Sequence, residues 1–367
     1  MTVRCRGSVN WLTVARVSGV FLAFLIGSGF ATGQEAMQFF VAYGLQGVVG
    51  ALLSLSVFFY ACASLMRTGK NYRLIRNEDV FGHYCGKFIG IFLTWYTMIF
   101  IVAVHAIMLA GAGATLRQAY DVPFYVGSGL MALLSLGTLL LGLSRIVDII
   151  SSIGPLIAVL TITIAVMALA GHLPDIKPGA RLVSELDLLR ASPHWLLSAL
   201  LYACMTLPGL ASFLPAVAAT TGSEKDLIYS SILGPGLYIC AMLLVVLALL
   251  GNITAVYQAD VPILALASEV LPIYGLIFAV VIFLGIYSTV TPLLWTVCER
   301  FSEEGTSRYR LLVISLTLLG YFGGMLLPFG KLLNLIYPTV GYAGLLFLVC
   351  AILKDLRSLR LASGGVK

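Results

Sequence analysis

The sequence predicts an all-α integral membrane protein of about ten transmembrane helices, and three observations carry that prediction. Of its 367 residues 60% are hydrophobic and only 10% charged, with a mean hydropathy of +1.02. No soluble domain of this length buries so much apolar surface. Apolar runs of spanning length alternate with short polar or Pro/Gly-rich breaks along the chain. The basic residues, which leave a net charge of +6, line short loops on one side as the positive-inside rule expects. They form no nucleic-acid patch.

Span 1 is expected over 11–42, and the chain is organised around its middle, Ile26-Gly27-Ser28-Gly29-Phe30-Ala31-Thr32-Gly33-Gln34-Glu35. Crossing a bilayer takes about 20 apolar residues, yet this segment carries three glycines and a carboxylate. Each glycine costs about 1 kcal/mol in a helix interior, and a charge at bilayer depth about 2.5 kcal/mol or more. The combination predicts a helix broken on purpose, its freed backbone groups facing a cavity. Arg4, Arg6 and the apolar run after Arg16 imitate a secretion signal. No A-x-A site follows and the run continues past Gly33, so the segment is read as a span.

Span 2 follows from Gly44 to Met66, then a basic loop, Arg67 to Lys87. Span 3 (88–116) is long enough to be tilted. Spans 4 and 5 are expected over 123–143 and from Asp148 to 171. A polar loop, His172 to Ser192, carries an amphipathic run at 180–189. Spans 6 and 7 cover 193–218 and 227–250. Asn252 to Pro272 is too polar to span, but Val261 to Glu269 reads as a short surface or re-entrant helix with Pro262 in its first turn. Spans 8, 9 and 10 cover 273–298, 311–327 and 332–353, and a short polar tail occupies 354–367. With ten spans and the N-terminus inside, only Arg117, Lys177, Arg181, Arg190 and Lys331 of the 22 basic residues fall outside. Both termini are thus expected in the cytoplasm, with the chain in the inner membrane. The seven cysteines (5, 62, 85, 204, 240, 298, 350) form no C-x-x-C pair and are expected as free thiols.

Span 6 carries a second interruption, Tyr202-Ala203-Cys204-Met205-Thr206-Leu207-Pro208-Gly209. Pro208 removes a backbone donor and Gly209 weakens what is left. Interruptions at corresponding positions of two halves point to an inverted-repeat transporter with its site at the breaks. The bland alternative is an ordinary kink in each helix. The whole chain is then one domain, with repeats over roughly 11–171 and 193–353.

Gly27-Ser28-Gly29 resembles the first-span glycine signature of the amino acid–polyamine–organocation superfamily, whose members share the LeuT fold. The longer string Gly27 to Glu35, followed by Met37-Gln38-Phe39-Phe40, is similar to the YkvI-like membrane proteins of that superfamily, as is Met108 to Ala114. The resemblance implies a 5+5 inverted repeat with spans 1 and 6 broken, and secondary transport.

With a break at Gly27–Gly29, the outer half-helix starts near Phe30 and turns its N–H groups to the cavity, which suits a carboxylate. Ser28 doubles as a helix cap. Carbonyls around Cys204, Met205, Thr206 and Leu207, opened by Pro208 and Gly209, suit an ammonium. Together they would hold an amino-acid-like solute. Glu35, about 9 Å beyond Gly29, is open to three readings: counter-ion for an amine, proton-coupling carboxylate, or gate. His105, mid-span 3, is either a site residue or an interhelical hydrogen bonder. Phe30 and Tyr202 stand at the breaks as candidate gates, and an aromatic lining also suits a cationic amine. The resemblance further implies a Na⁺ site, with the hydroxyls of Ser288 and Thr289 and the carbonyls of Ala23, Ile26 and Gly285 as ligands.

An enzyme is not expected, because the chain lacks H-E-x-x-H, G-x-S-x-G and P-loop motifs. A channel would need polar rings along its spans. A ligand-binding sensor on the same fold is the competing class. The expectation is a Na⁺-coupled symporter of an amino-acid-like or amine-bearing solute, with proton coupling through Glu35 as the alternative. No cofactor is expected beyond the coupling ion. The partners are the solute, Na⁺ or H⁺, the bilayer and a second copy of the chain.

Overall fold

The computed structural model describes residues 9–74, 76–142, 147–221 and 223–364. Span 1 becomes three short helices, α1 (Trp11–Leu25), α2 (Ser28–Thr32) and α3 (Gln34–Phe39). The next four spans become α4 (Leu45–Tyr72), α5 (Asn77–Tyr120), α6 (Phe124–Leu141) and α7 (Val147–Gly171). A short helix, α8 (Ile176–Leu182), precedes α9 (Trp195–Thr220) and α10 (Glu224–Gly251). After α11 (Ile253–Val256) and α12 (Pro262–Val270) come α13 (Pro272–Phe301), α14 (Ser307–Gly324) and α15 (Phe329–Gly364).

Local chemistry sets several of these boundaries. Asn10 caps α1, its side chain accepting from the N–H groups of Leu12 and Thr13 at 3.1 and 3.3 Å. Ser223 and Asp226 form a capping box at the start of α10. Pro262 and Pro272 sit in the first turns of α12 and α13, where a missing N–H costs nothing.

Two sequence expectations need correction here. The loop expected over 67–87 is largely helical: α4 runs on to Tyr72 and α5 begins at Asn77, bending at Gly86 (φ 73°). The polar tail expected from 354 continues α15, held by Asp355, whose Oδ2 accepts from Ser64 at 2.6 Å and Tyr60 at 2.9 Å. Among the described residues, seven helices are long and apolar enough to cross a membrane. Pro155–Gly171 and Ile176–Leu182, bent by 99°, make an eighth if they count as one span. α1 has only 15 residues, and α14 has 18 with Arg308 and Arg310 near its start.

α9 forms the centre of the packing, between α4 and α15. Two groups form the bundle: in one α4 joins α9 to α10 and α10 packs on α1, and in the other α5, α6, α13 and α14 pack on one another, with α5 also against α9 and α15. α7 lies against α10 and α13. The bundle has two distinct ends. Arg300 pairs with Glu78, Lys70 donates to Thr221 O at 3.1 Å, and the Asn10 N–H meets Asp226 Oδ1 at 2.9 Å at the basic end. At the opposite end Arg117 pairs with Asp260, and Gln118 holds Val261 through both its N–H (2.9 Å) and its carbonyl (3.0 Å).

Candidate functional site

Span 1 is broken where glycine allows it, and broken twice. The α1 ladder ends with Ile26 N–H on Leu22 O at 2.7 Å, and Gly27 is extended (φ −108°, ψ −163°). Six residues later Gly33 takes φ +80°, a left-handed conformation that a side chain would strain. The second half-helix therefore opens at Ser28, two residues before the expected Phe30, and is only one turn long. The Ser28 side chain lies outside the described residues.

The second break turns Glu35 back onto the first. Its carboxylate lies against Gly29 so closely that a Cβ at Gly29 would collide with Oε1. Glu35 is buried, and among the described residues no side chain pairs with it. Its surroundings are aromatic: Tyr202, Tyr238 and Tyr337, all buried, lie within electrostatic range. The hydroxyls of Tyr202 and Tyr238 hydrogen-bond to each other. Phe30, fully buried, packs on Tyr238 at 5.9 Å, and Phe40 on Tyr202 at 4.7 Å. An unpaired carboxylate in such a setting favours a proton or a cation.

A polar clamp over α3 was not assigned from the sequence. Gln34 Nε2 donates to the carbonyls of Ala259 (3.1 Å) and Asp260 (3.0 Å). Gln38 Nε2 donates to Gln34 Oε1 (2.9 Å) and Gly330 O (2.8 Å), while Asn334 Nδ2 reaches Gln38 Oε1 at 3.0 Å. Ile263 of α12 lies directly on Gly33. The α12 segment thus closes this end of the site like a lid. The available signal was two glutamines four apart in an apolar span, hence on one helix face.

The expected break in span 6 is not formed: α9 runs unbroken through Pro208 and Pro215. Pro208 leaves the Cys204 carbonyl without its ladder donor, and that carbonyl lies against Gly344 of α15, where no side chain intervenes. Thr206 Oγ1 donates to Ala203 O at 2.9 Å and Ser212 Oγ to Pro208 O at 2.9 Å. Gly209 lies under the ring of Phe24, which itself packs on Phe213 at 4.7 Å. Met205 and Leu207 are buried. Of the carbonyls proposed for an ammonium, that of Cys204 therefore faces a neighbouring helix. The close approach of α15 shields that carbonyl from lipid.

His105 is completely buried, with its ring against Gly320 of α14 and neither nitrogen in hydrogen-bonding geometry. It stands in the α5–α14 interface. Of the expected ion ligands, Thr289 comes to the break: a Cβ at Gly27 would stand 3.6 Å from its Oγ1. Ser288 Oγ and Thr289 Oγ1 both donate to Gly285 O, at 2.8 and 3.0 Å. That bonding uses their protons and leaves their lone pairs free for a cation. Ile26 is buried and Ala23 exposed one turn earlier.

No family model matches the chain. It is similar to the membrane protein YkvI of Bacillus subtilis (strain 168), with 23% identity over 351 residues that cover 93% of this chain and 96% of YkvI. A variant of the Eremococcus coleocola manganese transporter superposes on it with a TM-score of 0.60 at 13% identity, covering 95% of this chain and 80% of the transporter. The structure of MhsT in complex with L-phenylalanine superposes with a TM-score of 0.55 at 14% identity, covering 94% of this chain and all of MhsT. The chain has the LeuT-type fold and is homologous to YkvI along nearly its whole length.

Proposed function

We propose that the protein is a secondary transporter working by alternating access, and that Glu35 is the counter-charge for an amine-bearing solute. The observation that carries this reading is the carboxylate itself, buried on a double break, within electrostatic range of three buried tyrosines and, among the described residues, lacking a basic partner. The fold supports it, because a manganese transporter and a protein that holds L-phenylalanine share it. The two helix groups support a 5+5 repeat: each group joins the first two, or the next two, spans of one half to their counterparts in the other. The basic end is the cytoplasmic one on this reading.

Sodium is the coupling ion in this proposal, held where Thr289 approaches Gly27. A proton on Glu35 is the second reading, favoured by the absence of a paired base among the described residues. The test is a thermal-shift screen of purified protein against amino acids, amines and sulfonates, in Na⁺ and in choline, followed by uptake into proteoliposomes. A ligand at 100 times its Kd adds about 2.7 kcal/mol. Stabilisation by an amine that needs Na⁺, and that Glu35→Gln abolishes, is the expected outcome. Stabilisation indifferent to Na⁺ assigns coupling to the proton. A solute that binds but never crosses the vesicle makes the protein a sensor.

A further inference from the structure

At the end opposite the basic loops, a cavity of about 680 Å³ opens between α7, α8, α10 and α12. Its volume is in the range of small-molecule sites, and it lies outside the Glu35 region. We propose that it is a second binding site, for a small organic cation, and that its occupancy fastens the α12 lid.

The charged side chains of the cavity point one way, although the short helices α8 and α11 turn their positive N-termini to the same wall. Asp175 and Glu269 line it, and no lysine or arginine does, although Lys177 and Arg181 lie on the same short helix. Three helices end at its wall, α7 at Gly171, α10 at Gly251 and α12 at Val270. Each presents the negative end of its dipole. Asn252 also lines the cavity with only 8% of its surface exposed. Its Nδ2 is committed to two carbonyls, Ala248 O at 3.0 Å and Ala168 O at 3.4 Å. Those partners fix the amide orientation, so Oδ1 is the atom left over, and it accepts no hydrogen bond from a described residue. A free amide acceptor and two carboxylates, with three helix C-termini beside them, together form a site for a hydrogen-bond-donating cation.

An organic cation suits the cavity because its acidic groups are dispersed over a space far larger than a compact ion. Among the described residues no group of three His, Cys, Asp or Glu side chains could hold a metal, so His172, Asp175 and Glu269 do not converge. The walls are firm: Gly179 lies on the Leu250 carbonyl and Gly251 on that of His172, contacts a side chain would break. Leu266 and Glu269 belong to α12, whose other end covers Gly33 through Ile263. A cation between α8 and α12 therefore ties the lid to the bundle.

The test uses the full chain, with putrescine as probe and succinate as anionic control, by titration calorimetry. Saturable binding of putrescine alone is expected. It should weaken about fivefold or more in Asp175→Asn/Glu269→Gln, as exposed charge pairs allow, and persist in Glu35→Gln. Deuterium uptake over 259–270 should slow on binding. Both altered carboxylates are exposed, so the variant should keep the wild-type melting temperature. No saturable binding, equal binding by the double variant, or loss in Glu35→Gln overturns the second site. Unchanged exchange at 259–270 overturns its action on the lid.

Discussion

A methyl group at Gly29 would need the space that the Glu35 carboxylate fills. Gly29→Ala must push the carboxylate off the break, at an overpacking cost of about 1–3 kcal/mol. The expected result is folded protein with a lowered melting temperature and no stabilisation by solute. A solute shift equal to wild type would show that the carboxylate does not act from this position. Glu35 and the glycines were legible in the sequence because a charge and three glycines contradict an apolar helix. That the two touch was not legible, since it depends on a second turn at Gly33 whose positive φ no local pattern announced. Gln34 and Gln38 escaped for a different reason. Amides carry no charge to stand out in an apolar run, and their partners at 259–260, 330 and 334 are remote in sequence.

The elements were read best where periodicity and length decide. Span 2 expected from Gly44 is α4 from Leu45, and the short helix expected over 261–269 is Pro262–Val270. Span 6 was misread because proline marks a missing hydrogen bond, not how neighbours compensate for it. The compensation is measurable. In Pro208→Ala the new N–H can reach the Cys204 carbonyl, so the variant should be more stable, by up to the ~3 kcal/mol that proline costs in a helix. Gly344→Ala places a methyl group on that same carbonyl and should destabilise by about 1–3 kcal/mol. Thermal melts of the pair check both. A Pro208→Ala protein less stable than wild type would mean that the proline holds a bend α9 needs.

Across the whole molecule, charge asymmetry and ten apolar runs sufficed to anticipate the bundle and its two ends, because both are sums over many residues. The lid and the cavity beside it were beyond such sums, since they arise where α8 and α12 fold back on helix ends. One further consequence follows from the length of α1. Its 15 residues make a rod of about 22 Å, whereas the hydrocarbon layer is about 30 Å thick. Trp11 and Leu12 at its start are exposed. The crossing is completed by α2 and α3 beyond Gly27, so a change in bilayer thickness bears on the joint between these pieces, at fractions of a kcal/mol per ångström. The bilayer thus acts as a ruler laid against the break at Gly27, and on the proposed transporter reading lipid composition becomes a control on the cycle. In vesicles of phosphatidylcholine with acyl chains from about 14 to 22 carbons, uptake should pass through an optimum and fall in the thicker membranes. Equal uptake at every chain length would mean that α1 is anchored by its protein neighbours alone.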